Sequence, residues 1–468
     1  MKALPFADEP AYSVTPWQEA WRQHGATESE RYLTKLARRA FLTLWSYPNV
    51  YTDEGRGGGT GDGKELCDLL VVFGDHILLF SDKECEFSEH ADPKVAWYRW
   101  YRRAIEKSAK QLAGAEAWVR RYPGRIFVDR QCRQQLPLDL VRHEHLKIHL
   151  IAVAKGSAKH AKAHWDASGK GSSGSLILNT EIRGSEHLAH PFNVGWPLSC
   201  RKMVHVFDDE TLDIVLQELD TIADFVAYLD EKERHLTCGH AEFLVLGEEE
   251  LLAFYLKQAR RLPEVPEGAL AVIGEGEWKK FKSSRPYRKQ LKARKISYLW
   301  DDIIEYQISH ILAGSAYSID ESQSITDMET VLRAMAEEPR HMRTHLGAVL
   351  HRARKIGRSG KRYATAVKAS GSQDRAYVVI SLPKPSKVNY DEYREARQYQ
   401  LVTYAEGCKL RLPQIREVIG IAFEPYSTKT ISVDFMLMRF HDDVLDASWR
   451  IDIERRLQQE DMWRRGIA

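Results

Sequence analysis

Two short apolar runs separated by a tight turn constrain the fold more than any other stretch of this chain. The runs are Leu69–Phe73 and Ile77–Ser81, and Gly74-Asp75 lies between them, a pattern typical of two buried β-strands joined by a turn. The polar residues at the strand ends are Asp68, Ser81, Asp82 and Lys83. Carboxylates on adjoining strands can hold a divalent metal ion beside a phosphate. A lysine next to them places a second positive charge beside the same phosphate.

Length and composition place the chain among ordinary globular proteins. Its 468 residues predict two or three domains, and 43% hydrophobic with 29% charged residues is typical of the globular class. The six cysteines are scattered without a CxxC pair, which favours reduced thiols and excludes a zinc ribbon. No apolar run has the length of a membrane span or a signal peptide, so we expect a cytoplasmic protein without a membrane partner.

Helical and strand patterns alternate around the two central strands. A helix is predicted from Thr27, with Glu28 and Glu30 in its first turn, where acids favour the helix dipole. A second helix is predicted at 93–121, where Gln111 lies on an apolar face and needs a polar partner. The alternation predicts a mixed α/β fold with one domain at 1–240 and a second mixed α/β domain at 241–468.

Two further segments are predicted to be flexible, a hairpin or substrate-side loop at 47–65 and a loop at 160–175. Residues 47–65 form a glycine-rich connector that contains Gly58 and Gly63-Lys64. It is not a phosphate-binding P-loop, because Glu65 follows where a serine or threonine is required and the chain then enters a strand. The stretch His160–Ser175 is rich in Gly, Ser, Lys and His and predicts a mobile loop.

Two basic tracts lie in the second half of the chain. Between Lys279 and Lys295, nine of seventeen residues are Lys or Arg, and residues 339–373 contain nine Lys or Arg and no acid. Such tracts are often solvated helix faces, but two in one domain favour a surface that faces phosphates. The residues predicted to contact nucleic acid are Lys279, Lys280, Lys282, Arg285, Arg288, Lys289, Arg352, Arg354, Lys355 and Arg358.

The order of helix with Glu, strand with Asp, strand ending in an acid and Lys, and helix with Gln resembles the PD-(D/E)xK nuclease superfamily. The resemblance covers residues 27–130 and implies a restriction-endonuclease-like mixed sheet flanked by helices. It implies that Asp68, Asp82 and Glu30 (or Glu28) bind Mg2+ or Mn2+. It also implies that Lys83 acts on the phosphate or the attacking water, while Gln111 positions the lysine or the backbone.

One position departs from the family pattern. The family has an acid two residues before the lysine, where this chain has Ser81. Asp82 is adjacent but points to the opposite face of a regular strand. Three outcomes stay open: a bulge turns Asp82 inward, Glu84 takes the role, or metal binding weakens and catalysis is lost. An ordinary salt bridge between Asp68 and Lys83 is the simplest alternative.

The histidines predict no zinc site. His145 and His149 are four residues apart, but His149 lies in a predicted strand, where residues at this spacing are distant from one another. His160 and His164 have the same spacing without an acid nearby. We therefore expect magnesium or manganese and no zinc.

The predicted function is metal-dependent hydrolysis of phosphodiester bonds in DNA, or less favourably RNA, with bacterial defence as a setting that the family suggests. One alternative is a catalytically degenerate nuclease fold that binds nucleic acid or scaffolds an assembly, which Ser81 favours. Another is a protein-interaction module in which the acidic helix at 208–231 binds a basic partner. A protein partner in a defence complex and a homo-oligomer also stay open.

Overall fold

The computed structural model describes residues 23–56, 61–88, 90, 92–140, 146–167, 172–198, 202–313, 325–425, 433–441 and 446–460. The chain divides into two compact units. Unit 1 comprises Met1–Asp220, Phe225–Phe281 and Leu312–Ser315, and unit 2 comprises Thr221–Asp224, Lys282–Ile311 and Ala316–Ala468. Within the described part of the chain, no helix is both long enough and apolar enough to cross a bilayer.

The predicted mixed α/β class is confirmed. The α-helices of the described residues are α1 (Glu28–Phe41), α2 (Pro93–Tyr101), α3 (Lys107–Arg121), α4 (Ala158–Ala167), α5 (Thr211–Glu218), α6 (Ile222–Thr237), α7 (Glu248–Lys257), α8 (Glu277–Ser283), α9 (Arg285–Arg294), α10 (Tyr298–Leu312), α11 (Ile325–Ala336), α12 (Arg340–Gly357), α13 (Tyr390–Arg411) and α14 (Ala447–Gln459). The strands are β1 (Ser46–Thr52), β2 (Lys64–Phe73), β3 (His76–Glu84), β4 (Ile126–Phe127), β5 (Lys147–Lys155), β6 (Ile177–Arg183), β7 (Asn193–Trp196), β8 (His205–Phe207), β9 (Glu242–Val245), β10 (Leu270–Ile273), β11 (Tyr363–Lys368), β12 (Arg375–Ser381), β13 (Glu417–Phe423) and β14 (Val433–Arg439).

The main sheet of unit 1 has six strands in the order β4-β1-β2-β3-β5-β8. Strand β1 is antiparallel to β4 and β2, and β2 is antiparallel to β3, whereas β5 is parallel to β3 and β8 is parallel to β5. Helix α3 packs on one face, where Leu112 lies in a core cluster with Ile77 and Leu79. Helix α1 lies on the other face, where the rings of Phe41 and Phe80 are 6.4 Å apart. Alternation along β3 separates these two layers.

A second sheet in unit 1 has the order β10-β9-β6-β7. Strand β9 pairs with β6 and β10 pairs with β9, so residues 242–273 belong to unit 1. The predicted boundary at residue 240 therefore falls inside a unit that extends to Phe281. The boundary lies later in the chain because β9 pairs with β6, a strand distant in sequence. The composition around residue 240 does not reveal this pairing.

Local signals predicted α1 and the central strand pair correctly. The side chain of Thr27 accepts a hydrogen bond from the Glu30 amide, and Glu30 bonds back to Thr27 in a capping box. Two predictions of local structure were wrong. Part of the predicted loop at 160–175 is helix α4. The predicted acidic helix at 208–231 is two helices, because Thr221 caps a new helix by accepting a hydrogen bond from the Asp224 amide.

Unit 2 is built on a four-stranded sheet in the order β11-β12-β13-β14, with β12 parallel to β13. Helices α13 and α14 cover one face, where Leu401 and Ile453 pack on Val378. Helix α12 contacts β11 and β12, and Gly357 at its end lies against Ser381 of β12. Alternation along β12 places Val378 and Ser381 on opposite faces, so helices cover both sides of this sheet.

Helix α12 passes very close to the backbone at Lys295–Ser297. A Cβ atom at Gly347 would lie 2.1 Å from the carbonyl oxygen of Ile296. The two atoms would overlap, so only glycine, which has no Cβ, fits at this position. Gly347 therefore sets how closely α12 approaches the chain that follows α9.

We predict that Gly347→Ala destabilises the protein by about 1–3 kcal/mol, because the added methyl group forces the two backbone segments apart. Urea unfolding followed by circular dichroism measures the change. The matched control is Gly114→Ala in α3, where nothing lies within 4 Å of the added Cβ and a gain of up to about 1 kcal/mol is expected. A Gly347→Ala protein as stable as wild type would contradict the close approach.

Candidate active site at the ends of β2 and β3

The carboxylate of Asp68 lies where β2 and β3 stop pairing. Their register ends with Leu69 opposite Phe80, and beyond it Asp68 Oδ2 accepts a hydrogen bond of 2.5 Å from the backbone amide of Asp82. Lys83 Nζ lies 3.4 Å from the same oxygen. Both contacts use Oδ2, so Oδ1 is the oxygen that a ligand would take. The predicted juxtaposition of Asp68 and Lys83 is thus present.

Burial makes Asp68 an unusual carboxylate. Its exposed fraction is 2%, and burial raises its pKa to about 6, although the charge of Lys83 and the Asp82 amide act in the opposite direction. The negative charges of Glu65 and Glu30 raise the pKa further. A strongly perturbed carboxylate beside a half-exposed lysine is a common feature of functional sites.

Ser81 and Asp82 lie on opposite faces of β3. The pairing of β3 with β5 continues without a shift from His76 to Glu84, so the first open outcome, a bulge that turns Asp82 inward, does not occur. Ser81 faces α3, where its hydroxyl lies 3.3 Å from that of Ser108. Glu84 shares the face of Asp82 by alternation and is exposed, which does not favour its taking the role of the missing acid.

Asp82 is held by partners on its own face. Its Oδ2 accepts a 2.6 Å hydrogen bond from the Ser29 hydroxyl of α1, and Lys155 Nζ at the end of β5 lies 3.2 Å from Oδ1. Lys155 also donates to the Ser29 hydroxyl at 2.6 Å. This network neutralises Asp82 on the side of the sheet that α1 covers. The sequence analysis missed Ser29 and Lys155, although Lys155 ends an apolar run as Lys83 does.

Asn49 links two further acids, Glu30 and Glu65, that act on Asp68 through their charge. Its side-chain amide donates to Glu30 Oε2 at 3.0 Å and to Glu65 Oε1 at 2.8 Å. Burial acts to raise the pKa of Glu30, but hydrogen bonds from Asn49 and from the Ala26 and Thr27 amides outweigh it and lower the pKa. Asn49 has a backbone φ of 47°, a left-handed conformation that asparagine tolerates. Glu65 was missed by the sequence analysis, and the alternative acid Glu28 is exposed.

The predicted metal ligands are not gathered into one tight group. Among the described residues, the groups of three or more His, Cys, Asp or Glu whose ligand atoms lie within 4.8 Å of one another contain none of Glu30, Asp68 and Asp82. Glu30 and Asp68 influence each other electrostatically, whereas the carboxylate of Asp82 bonds to Ser29 and Lys155. Asp68 is therefore the carboxylate in contact with Lys83, and Glu30 and Glu65 act on it through their charge.

Gln111 is half-buried on α3, one turn after Ser108. It makes no side-chain hydrogen bond among the described residues. A π-helical turn at Arg102–Glu106 joins α2 to α3 and leads directly to Ser108. Beside it is an open cavity of about 590 Å³. Its lining residues are Ser88, Tyr98, Arg99, Arg102, Arg103, Glu106, Lys107 and Lys110.

This cavity is lined mainly by basic residues of α2, the π turn and the start of α3. Five of its eight lining residues are Lys or Arg. Glu106 offsets part of the charge, since it lies 3.3 Å from Arg102 and 2.5 Å from Lys110. None of these basic residues was among those predicted to contact nucleic acid.

The first basic tract lies across the division between the units. Lys279 and Lys280 belong to unit 1 on α8, where Lys280 pairs with Glu277 at 2.8 Å. Lys282 and the tract beyond it belong to unit 2. The exposed cations of α9 recur every three or four residues along one face, at Arg285, Arg288, Lys289 and Lys292.

The second basic tract is partly structural. Arg340 and Arg343 are buried and bind the two oxygens of Asp301 at 2.6 and 2.7 Å. The half-buried Arg354 lies 5.5 Å from the Phe423 ring centre. Arg352, Lys355 and Arg358 are exposed. Helices α9 and α12 of unit 2 are in contact. We call their exposed cations the α9–α12 basic surface, and its members are Arg285, Arg288, Lys289, Lys292, Arg352, Lys355 and Arg358.

Comparison of the chain with protein-family models, curated proteins and solved structures found no match.

We predict that Asp68→Asn stabilises the protein at neutral pH. The folded pKa of about 6 exceeds the ordinary 3.8, so the native state binds more protons than the unfolded state between about pH 4 and 6. Stability falls as the pH rises through this range and is level above it. The gain from Asp68→Asn should be on the order of 3 kcal/mol at pH 7.5 and vanish below about pH 4.

Urea unfolding of wild type and Asp68→Asn from pH 3.5 to 8 measures this difference. The exposed Glu181→Gln variant is the control for removing one surface carboxylate. An Asp68→Asn protein that is less stable than wild type at pH 7.5 would contradict the inference that burial makes ionisation of Asp68 costly in the folded protein.

Proposed function

We propose that unit 1 is a nuclease of the PD-(D/E)xK type that hydrolyses phosphodiester bonds in nucleic acid with a divalent metal ion. The contact that carries the proposal is the 3.4 Å pair between buried Asp68 and half-exposed Lys83 on adjoining strands. The order of α1, β2, β3 and α3 along the chain supports it, because the same order of helix, two strands and helix underlies the resemblance found in the sequence. A role in bacterial defence stays a prediction.

In this proposal Asp68 would hold the cation through a carboxylate oxygen, the kind of ligand that Mg2+ and Mn2+ prefer. Glu30 and Glu65 act on Asp68 through their charge, but among the described residues the three carboxylates do not form a group of ligand atoms within 4.8 Å of one another. Asp82 does not fit, because its carboxylate bonds to Ser29 and Lys155. A bound metal would supply charge neutralisation and an activated water.

The protein's own groups have separate roles in this proposal. Lys83 places a positive charge beside the phosphate, where it stabilises charge that develops on the oxygens. The Asp82 amide fixes Asp68 through Oδ2, which leaves Oδ1 as the oxygen that a ligand would take. The basic cavity beside the π turn attracts the phosphates that flank the scissile bond.

We predict metal-dependent cleavage by wild type that Asp68→Asn and Lys83→Met each reduce at least a hundredfold. Plasmid, linear and single-stranded DNA and RNA are incubated with Mg2+ or Mn2+, and the products are separated on gels. Asp82→Asn should retain most of the activity. The exposed Lys159→Met on α4 is the control for the loss of one lysine.

Cleavage that survives both Asp68→Asn and Lys83→Met would place the activity elsewhere. Loss of activity in Asp82→Asn equal to that in Asp68→Asn would show that Asp82 joins the site when substrate binds.

A second candidate function is nucleic-acid binding without cleavage. The observation that favours it is Ser81 in the position of the missing acid, with its hydroxyl directed at Ser108. With Asp82 neutralised by Lys155, one buried carboxylate remains beside Lys83, and metal affinity falls with the number of carboxylates.

Both candidates predict salt-sensitive binding through the α9–α12 basic surface. The double variant Arg288→Gln/Lys292→Gln should reduce the slope of log K against log salt concentration by about 2, because each lost phosphate contact removes about 0.9. Fluorescence anisotropy with a labelled 30-mer duplex from 50 to 300 mM salt measures the slope, with Lys159→Gln as control. An unchanged slope would exclude these two residues from the interface.

A further inference from the structure

Three histidines and two acids of unit 1 form a cluster apart from Asp68 and Lys83. We call it the histidine cluster, and its members are His76, His149, His205, Asp230 and Glu233. His76 opens β3 and Lys83 lies near its end, so the two sites are separated by about 23 Å at a rise of about 3.3 Å per residue.

The strand register brings the histidines to one face of the sheet. Leu78 pairs with His149 and Ile151 pairs with His205 in parallel ladders, and paired residues share a face. His76 is two residues before Leu78 and therefore shares it too. Asp230 and Glu233 are three residues apart on α6, so they lie on the same side of that helix.

Glu233 fixes the orientation of His149. Its Oε1 accepts hydrogen bonds from His149 Nδ1 at 2.7 Å and from His205 Nε2 at 2.9 Å. Burial acts to raise the pKa of Glu233, but these two hydrogen bonds outweigh it and lower the pKa far below its ordinary value. A neutral His149 that donates from Nδ1 carries its lone pair on Nε2.

The Nε2 atom of His149 faces two other ligand atoms. His76 Nδ1 lies 3.3 Å from it and Asp230 Oδ1 lies 3.6 Å from it. Two ligands bound tetrahedrally to zinc at about 2.0–2.1 Å are about 3.3–3.4 Å apart, so both separations match a ligand edge. The contacts of Glu233 with the two histidines, at 2.7 and 2.9 Å, are instead hydrogen bonds.

We propose that His76, His149 and Asp230 bind a divalent transition-metal ion of the zinc class, with Glu233 as the carboxylate that orients His149. His149 is fully buried, whereas His76 and Asp230 are half-buried, which gives the ion a path from solvent and leaves a fourth position for water. The metal replaces the hydrogen bond between His76 and His149. It also displaces the half-exposed Lys147, whose ammonium pairs with Asp230 Oδ1.

The zinc ion itself is the probe for this site. The full-length chain is freed of metal with a chelator and titrated with Zn2+ by calorimetry in the presence of a competing chelator. The absorption of bound Co2+ then reports four-coordinate geometry. Wild type should bind one zinc ion at the cluster, and its melting temperature should rise with added Zn2+.

The variants His76→Ala and Asp230→Asn should each weaken zinc binding at least tenfold, and Glu233→Gln should weaken it by about 10–100-fold. Lys147→Met should strengthen it, because the competing cation is gone. His190→Ala, which changes an exposed histidine, should leave the affinity unchanged. Circular dichroism confirms that each variant is folded.

A folded wild type that binds no zinc would overturn the proposal. So would zinc binding that is unaffected in folded His76→Ala and Asp230→Asn. Tighter binding by Lys147→Met is an outcome that a purely structural hydrogen-bonded cluster would not produce.

Discussion

The carboxylate of Asp68 depends on a break in strand pairing. Because β2 and β3 separate after Leu69 and Phe80, a side chain takes the place of the next backbone acceptor and receives the Asp82 amide. Keeping this group away from water is costly once it ionises, and nearby Glu30 and Glu65 increase the cost. A fold that retains such a group accepts a loss of stability, as functional sites commonly do.

The sequence predicted the elements whose signals are local. The capping box of Thr27 and Glu30 and the apolar runs of β2 and β3 depend on neighbouring residues alone. Strand β1 was hidden in a glycine-rich connector, because its stability comes from pairing with β2. The acid-free tract at 339–373 predicted an exposed basic surface, yet Arg340 is buried in an ion pair with Asp301 on another helix. Whether a basic residue is exposed or paired thus depends on residues distant in sequence.

The candidate site, like the fold, was predictable where its signals are local in the sequence. Strand alternation correctly separated Ser81 from Asp82, and it brought Asp68 and Lys83 together. It could not find Lys155, which lies 73 residues from Asp82 along the chain. The histidine cluster was not predicted for the same reason. The spacing of His145 and His149 pairs His149 with a residue close in sequence, whereas its actual partners are distant. The structure instead places His149 beside residues of β3, β8 and α6.

The π turn at Arg102–Glu106 lets one continuous helical segment serve two cores. Before it, Trp97 and Trp100 pack with Phe87 and Phe192, and after it Leu112 packs over the main sheet. Each residue of an α-helix advances by about 100°. Deleting one residue from the turn would rotate everything that follows by that angle, carrying Ser108 away from Ser81. The length of this turn, more than the identity of its side chains, keeps the second half aligned with β3.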